Sequence, residues 1–295
     1  MRTTKPRRVT RGAVLRVVAP SGPFDADAFH RGVAFLSERY EVRVGDSIHA
    51  RDGFLAGSDE RRLRELREAL ADPDTSAIVA ARGGYGSTRL LEDLSTTEIR
   101  GAGKWLVGFS DITALHALWA RAGVQSLHGP MVAWLGNADD LQRAQWVAAL
   151  EGTHPPFTDL DVWCDGDLAE GHLVGGNLAV LCSLVGTPFA PPLTNAVLFL
   201  EEVGEAPYRI DRMLTTLRQA GWFHRVRAVV VGEFIGCAGA KGIEADDVLR
   251  ERLGDLGVPV LAGLGVGHGP RNRALPFGAV AQVDSESNQV SFLGD

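Results

Sequence analysis

Ser110 lies in a sequence that could present a nucleophile. It belongs to a Gly-Phe-Ser-Asp segment at 108–111, which follows an apolar run and precedes a predicted helix. A serine on such a turn exposes its hydroxyl close to free helix N–H groups, and these favour a developing negative charge. Serine is also a preferred helix N-cap, so the segment alone leaves a purely capping role open.

A glycine-rich loop follows another predicted strand. Its sequence is Arg-Gly-Gly-Tyr-Gly at 82–86. Gly83 and Gly84 would let the backbone approach a ligand closely and turn its N–H groups toward an anion or an oxyanion. Phosphate binding is the alternative, but the loop lacks both the G-x-G-x-x-G spacing and the lysine of a P-loop.

Two further loops carry a carboxylate and a histidine. Glu201 and Glu202 end a buried strand pattern, and His268 stands between glycines after an apolar run. Acids that cap a strand and partly exposed histidines are common, and spacing does not decide between the two glutamates. Taken together, however, the four loops supply a nucleophile, a base, an orienting carboxylate and oxyanion donors. That is a complete set for acyl transfer.

The elements that must position these loops indicate an α/β protein. Short β-rich runs alternate with helical patterns in the first half, which predicts a mostly parallel sheet flanked by helices, Rossmann-like or flavodoxin-like. A second, smaller α/β domain rich in strands is predicted to follow. The predicted divisions are a flexible basic arm (1–12), an N-terminal domain carrying the nucleophile (13–150), a linker (151–170) and a C-terminal domain carrying the acid and the histidine (171–295).

Composition narrows the class of protein. The 295 residues are 45% hydrophobic and 23% charged, with a formal net charge of -7, which argues against a nucleic-acid footprint. The three cysteines are widely spaced, and no metal-ligand motif occurs, so neither a metal nor a cofactor is expected. The first apolar run is too short to span a bilayer. We therefore expect a cytoplasmic enzyme with a small peptide substrate and no nucleic-acid or membrane partner.

An ordered series of segments resembles the serine LD-carboxypeptidase family, which includes muramoyltetrapeptide carboxypeptidases and microcin C self-immunity peptidases. The resemblance runs from about residue 14 to the end of the chain. The segments that carry it are Val-Ala-Pro-Ser-Gly at 18–22, Arg-Gly-Gly-Tyr-Gly at 82–86, Gly-Phe-Ser-Asp at 108–111, His-Gly-Pro-Met at 128–131, Gly-Gly-Asn-Leu at 175–178, Glu-Glu at 201–202 with Pro-Tyr-Arg-Ile-Asp-Arg at 207–212, and Gly-His at 267–268.

The resemblance implies a site between two domains and a homodimer. It implies a catalytic triad of Ser110, Glu201 and His268, and it is the family's placement of the acid that selects Glu201 over Glu202. It also implies an oxyanion hole formed by backbone N–H groups. The implied oxyanion donors are Gly83, Gly84 and Asp111. The implied substrate-binding residues are Arg82 and Tyr85, with Arg89, Arg209, Arg271 and Arg273 as the other candidate cations for the substrate carboxylate.

Three functions remain open at this point. The first is hydrolysis, through an acyl-enzyme, of the L,D bond before the terminal D-alanine of muropeptide tetrapeptides in peptidoglycan recycling. The second is cleavage of a peptidyl or aminoacyl adenylate analogue, as in microcin C self-immunity, for which Trp134 or Trp163 could stack on adenine. The third is a non-catalytic α/β small-ligand binding protein in which Ser110 merely caps a helix.

Overall fold

The computed structural model describes residues 3–239 and 242–293, and it is a mixed α/β structure built on two sheets. The first sheet lies mostly in the N-terminal half and is flanked by helices. Its strands are β1 (Val14–Val18), β2 (Glu41–Val44), β3 (Thr75–Ala80), β4 (Trp105–Gly108), β5 (Ser126–His128) and β11 (Leu275–Phe277). The helices of this half are α1 (Ala26–Ser37), α2 (Asp59–Ala71), α3 (Thr96–Ala102), α4 (Thr113–Ala122), α5 (Val132–Leu135) and α6 (Asp140–Leu150).

The first sheet is parallel except at one edge. Its order is β11-β5-β4-β3-β1-β2, and only β11 runs antiparallel to its neighbour. Ile78 and Leu106 point to one apolar cluster, while Val79 and Val107 point to another. Both faces are therefore covered, as parallel sheets require, and the carboxyl end of the central strand β4 opens into the Ser110 turn.

The second sheet has the order β13-β12-β7-β8-β9-β10-β6. Strands β7, β8, β9 and β10 are parallel to one another. The pairs β13–β12, β12–β7 and β10–β6 are antiparallel. Its strands are β6 (Asp161–Cys164), β7 (Ala169–Asn177), β8 (Ala196–Val203), β9 (Val226–Ile235), β10 (Val260–Ala262), β12 (Val280–Asp284) and β13 (Gln289–Leu293). Its helices are α7 (Leu178–Ser183), α8 (Pro207–Gln219) and α9 (Ala245–Leu253). The predicted fold class is confirmed.

Helix starts follow the capping residues in the sequence. Asp25 accepts a hydrogen bond from the Ala28 N–H at the start of α1 (2.8 Å), and Asp139 forms a reciprocal capping box at the start of α6. Both helices begin one residue after their caps, at Ala26 and Asp140. Among the described residues, no helix has the length and apolar character needed to cross a bilayer.

The described part of the basic arm, from residue 3 on, is packed against the first sheet. Thr4 pairs with the chain at Val124, and Val9 is completely buried. The indole of Trp105 donates to the carbonyl of Arg7 (3.0 Å). The side chains of Lys5, Arg7, Arg8 and Arg11 are exposed, while the backbone and Val9 supply these contacts. The first two residues of the predicted arm lie outside the described range.

Part of the predicted linker at 151–170 belongs to the second sheet. It contains β6, which pairs antiparallel with β10, and the buried Phe157, which bridges to Val290. Prolines and acids dominate the composition here, but edge pairing to distant strands orders the segment. Conversely, β11 belongs to the C-terminal half of the sequence but pairs with β5 of the first sheet. The two halves are thus joined by strand hydrogen bonds as well as by side-chain packing.

Candidate active site

Ser110 sits on a sharp turn between β4 and a single 3-10 turn at Ser110–Ile112 that leads into α4. Its φ is +63°, in the left-handed region that residues with a side chain rarely occupy. Backbone strain of this kind concentrates at functional sites, and a nucleophile elbow between a strand and a helix has this form. In the described part of the chain, the Ser110 side chain makes no capping hydrogen bond at the 3-10 turn or at the start of α4.

The glycine loop lies directly against this turn. Gly84 has a φ of +112°, and Gly83 accepts a hydrogen bond at its carbonyl from the Gly22 N–H (3.0 Å). Within residues 3–239 and 242–293, the N–H groups of Gly83 and Gly84 donate to no protein acceptor. Free N–H groups beside a nucleophile are what an oxyanion hole needs.

The side chain of Asp111 ties the turn to two neighbouring loops. This buried carboxylate accepts hydrogen bonds from the Ser21 hydroxyl (2.5 Å) and from the Ser87 N–H (2.9 Å). The Ser87 hydroxyl in turn donates to the Asp111 carbonyl (2.5 Å). We predicted only a backbone role for Asp111. The structure adds a role for its carboxylate, which fixes the glycine loop relative to Ser110.

Glu201 and His268 form the second part of the site. Glu201 lies near the carboxyl end of β8 and is completely buried, and its Oε2 lies 2.7 Å from Nδ1 of His268. A carboxylate can only accept, so Nδ1 carries the proton and Nε2 is left as the basic nitrogen. Gly267 has a φ of +138°, and a Cβ there would lie 3.1 Å from Glu201 Oε2, so the loop needs glycine to approach this closely.

Glu202 points away from this pair. Its carboxylate accepts hydrogen bonds from the amide of Asn177 (2.8 Å), the Ala179 N–H (2.8 Å) and the Val203 N–H (2.8 Å). It thus anchors the start of α7, and burial raises the pKa of the Glu202 carboxyl. The two adjacent acids therefore have different contacts. Glu201 contacts His268, whereas Glu202 accepts hydrogen bonds at the N-terminus of α7.

Contacts between the N-terminal and C-terminal halves of the chain bring the Ser110 turn close to Glu201 and His268. The Phe109 ring lies against the His268 ring, with centroids 4.9 Å apart. The Asn177 N–H donates to the Thr113 hydroxyl (3.0 Å), and Asn177 stands opposite Glu201 in the sheet. No hydrogen bond joins Ser110 to His268 in the described part of the chain, and such contacts often tighten only when substrate binds.

The candidate substrate-binding residues lie around the glycine loop. Arg82 is exposed and donates to the Pro23 carbonyl (2.7 Å). Tyr85 is half-exposed and its ring contacts that of Phe54 (centroids 5.6 Å apart). Among the other candidate cations, Arg89 is paired with Asp59. Within the described ranges, Arg82 and Arg271, which lies in the His268 loop, form no ion pair with a carboxylate.

The two remaining candidate cations for the substrate carboxylate already interact with other parts of the protein. Arg209 is paired with Glu205, and Arg273 donates to the Pro155 carbonyl. Trp134 is partly buried and packs against two core clusters, and Trp163 lies on β6 beneath Arg250. Both tryptophans therefore contribute to packing.

A buried histidine that we did not single out from the sequence supports the nucleophile turn. His116 in α4 contacts the Ser126 hydroxyl through Nδ1 (2.8 Å) and donates from Nε2 to the Gly108 carbonyl (2.8 Å). Burial lowers the pKa of His116 to about 4, so the ring stays neutral and can both accept and donate. In the sequence, His116 is a lone histidine in an apolar helix pattern, and that pattern does not indicate a contact with Gly108.

With this geometry established, comparison with known proteins defines the class. The chain matches the LD-carboxypeptidase N-terminal domain over residues 15–129 and the LD-carboxypeptidase C-terminal domain over residues 170–283. The chain therefore belongs to the LD-carboxypeptidase family and is a peptide hydrolase. The predicted family is confirmed.

Individual relatives agree with this assignment. A Synechocystis sp. protein whose name places it among the carboxypeptidases is 40% identical over 290 residues, 96% of this chain and 95% of its own. The murein tetrapeptide carboxypeptidase of Pseudomonas aeruginosa is 30% identical, with 91% of this chain and 92% of that protein covered. The crystal structure of muramoyltetrapeptide carboxypeptidase from Oxalobacter formigenes superposes with a TM-score of 0.82 at 30% identity, covering 95% of this chain and 98% of that one.

The microcin branch is also represented. The Escherichia coli microcin C7 self-immunity protein MccF is 25% identical, with 92% of this chain and 90% of that protein covered. The structure of MccF in complex with glutamyl sulfamoyl guanosine has a TM-score of 0.89 at 22% identity, with 98% of each chain covered. At that identity the superposition shows a shared fold.

Proposed function

We propose that this chain is a serine LD-carboxypeptidase that releases the terminal D-alanine from murein tetrapeptides, in peptidoglycan recycling. Ser110 is the nucleophile, His268 the general base and Glu201 the residue that orients the base. The observation that carries the proposal is the buried 2.7 Å contact of Glu201 with Nδ1 of His268. That contact leaves Nε2 free on a ring that packs against Phe109, the neighbour of Ser110.

The chemistry follows from these positions. Nε2 of His268 takes the Ser110 proton as the hydroxyl oxygen attacks the carbonyl before the terminal residue. The tetrahedral oxyanion is stabilised by backbone N–H groups at Gly83, Gly84 and Asp111, and the imidazolium by Glu201. The imidazolium then protonates the amine of D-alanine as the C–N bond breaks. Water, deprotonated by the same histidine, hydrolyses the acyl-enzyme and restores the serine.

A carboxypeptidase must also recognise a free carboxylate. Arg82 donates one N–H to a carbonyl and forms no ion pair in the described ranges, so the rest of its guanidinium is available. Arg271 lies three residues after His268 and is exposed. We assign the substrate carboxylate to Arg82, with Tyr85 beside it, because the same loop holds the oxyanion donors and a guanidinium binds carboxylates bidentately.

The murein substrate is favoured over an aminoacyl adenylate. The Pseudomonas aeruginosa murein enzyme is 30% identical to this chain and MccF 25%. Trp134 and Trp163, the aromatic residues that could have stacked on adenine, contribute to packing and are partly buried. The adenylate reading therefore rests on family membership alone.

Two substrates separate these functions. The protein would be incubated with a murein tetrapeptide ending in L,D-linked D-alanine and, in parallel, with an aminoacyl sulfamoyl adenosine, and the products identified by mass spectrometry. We expect D-alanine release from the first and no cleavage of the second. Cleavage of the adenylate alone would support the microcin-type function, and binding of either without cleavage would support a binding protein.

A further inference from the structure

Strand β9 carries a bulge beside Glu201. The pairing of β8 with β9 runs from Leu200 opposite Val231 to Glu202 opposite Phe234. Two residues of β9, Gly232 and Glu233, therefore stand against the single residue Glu201. Bulges next to active sites re-aim side chains, and this one brings a second carboxylate to the edge where Glu201 meets the histidine.

The loop that carries His268 lies along the bulged end of β9. The Glu233 N–H donates to the Val266 carbonyl (2.9 Å), and its carboxylate Oε2 accepts from the Gly269 N–H (2.9 Å). Glu233 thus holds the backbone two residues before His268 and one residue after it. A Cβ on Gly269 would lie 2.2 Å from Glu233 Oε2, so the glycine is what admits the carboxylate.

The charged groups around this carboxylate are Glu201 from β8 and His268 from the loop. Burial, together with the charge of Glu201, raises the pKa of Glu233, while the Gly269 N–H and His268 lower it. His128 of β5 is completely buried, and burial holds its pKa well below the ordinary value. His128 therefore stays neutral, and the acids that hold the His268 loop are Glu201, on the ring, and Glu233, on the backbone of Gly269.

We infer that Glu233 is a positioning residue for His268 in the proposed hydrolysis. Its carboxylate fixes the backbone beside the histidine, and its negative charge favours the imidazolium that forms in the transition state. Glu201 sets the ring through Nδ1, and Glu233 sets the loop through Gly269 N–H. This inference rests on the proposed function for its effect on the reaction rate, but the hydrogen bond from Gly269 N–H to Glu233 is present without substrate.

Substitutions at Glu233 separate the effect of its negative charge from the effect of its hydrogen bond with Gly269 N–H. Glu233→Gln keeps an oxygen that can accept from Gly269 N–H and removes the charge, whereas Glu233→Ala removes both. The control is Glu170→Gln, an exposed acid on β7 of the same sheet. We expect kcat to fall by about tenfold in Glu233→Gln and about 10²-fold in Glu233→Ala, with KM and melting temperature near wild type. Glu170→Gln should match the wild type in all three.

The pH dependence provides a readout that loop packing alone would not change. Loss of a nearby negative charge disfavours the imidazolium, so the ascending limb of kcat/KM in Glu233→Gln should move to lower pH. The same shift should appear without substrate in the NMR titration of the His268 ring, assigned by comparison with His268→Ala. Identical titration midpoints in wild type and Glu233→Gln, or a wild-type kcat in Glu233→Ala, would overturn the inference. Failure of the wild type to cleave the tetrapeptide would refute the proposed function while leaving the titration result valid.

Discussion

A Cβ atom placed on Gly83 would lie 3.0 Å from the Cβ of Ser110 and 3.3 Å from its Oγ. The backbone of the glycine loop therefore lies directly against Ser110, and there is no room for a side chain between them. In the proposed mechanism, the N–H groups of Gly83 and Gly84 would stabilise the oxyanion formed at Ser110.

Gly83→Ala should reduce kcat/KM by about 10²-fold, because the methyl group pushes the loop and the serine apart. Gly101→Ala in α3 is the control, since a Cβ there meets nothing within 4 Å. Steady-state kinetics on the murein tetrapeptide, with thermal melts of both variants, would check this. Equal activity of the two variants would remove Gly83 from the oxyanion hole.

The positive φ of Ser110 predicts an unusual effect of glycine on stability. Left-handed backbone costs about 1–2 kcal/mol for a residue with a Cβ, and glycine gives back about 0.5–1 kcal/mol through the unfolded chain. Ser110→Gly should therefore unfold with a free energy about 0.5–1 kcal/mol higher than Ser110→Ala, although both are inactive. At Ser183, the last residue of α7, the order should reverse. Denaturant unfolding measures all four variants, and a less stable Ser110→Gly would contradict the strained turn.

The adjacent glutamates should separate activity from stability. Glu201→Gln should lower kcat by about 10³-fold or more with little change in folding, because an amide cannot stabilise the imidazolium. Glu202→Gln should leave kcat within a few-fold of wild type but lower the free energy of unfolding by about 1–3 kcal/mol, since its NH₂ group would face buried donors. Kinetics and urea unfolding of each variant would decide the assignment, and the opposite pattern would exchange the two roles.

Much of this arrangement could be predicted from the sequence. Short β-rich runs that alternate with helical patterns predicted the α/β fold, and the strand ends at Ser110 and Glu201 predicted where candidate functional side chains lie. The resemblance to a known family, more than spacing, selected Glu201 over its neighbour. Helix-capping hydrogen bonds join residues that are close together in the sequence, so the sequence alone can predict them.

Contacts between distant segments could not be predicted in this way. The Asp111 carboxylate joins loops that begin near Ser21 and Ser87, and nothing in its own neighbourhood indicates those partners. The proximity of Glu233 to the His268 loop depends on one extra residue in β9. Likewise, β6 is ordered by pairing with β10, almost 100 residues later in the chain, so its proline- and acid-rich surroundings suggested a linker.

The triad should act as a unit. Ser110→Ala should lower kcat by about 10⁴-fold or more, and adding His268→Ala to that variant should cost almost nothing further, because the base has no proton to accept once the nucleophile is gone. Single-turnover rates of the two single variants and the double variant test this. Losses that multiply, with the double variant far slower than either single one, would mean that the two residues act in separate steps.

The most direct test of the account is release of D-alanine by wild-type protein and by Ser110→Ala, measured by mass spectrometry on an L,D-linked tetrapeptide and on a D,D-linked pentapeptide. The account predicts D-alanine from the tetrapeptide with the wild type only, and none from the pentapeptide with either protein. Equal release from both peptides, or undiminished release by a folded Ser110→Ala, would contradict a serine LD-carboxypeptidase.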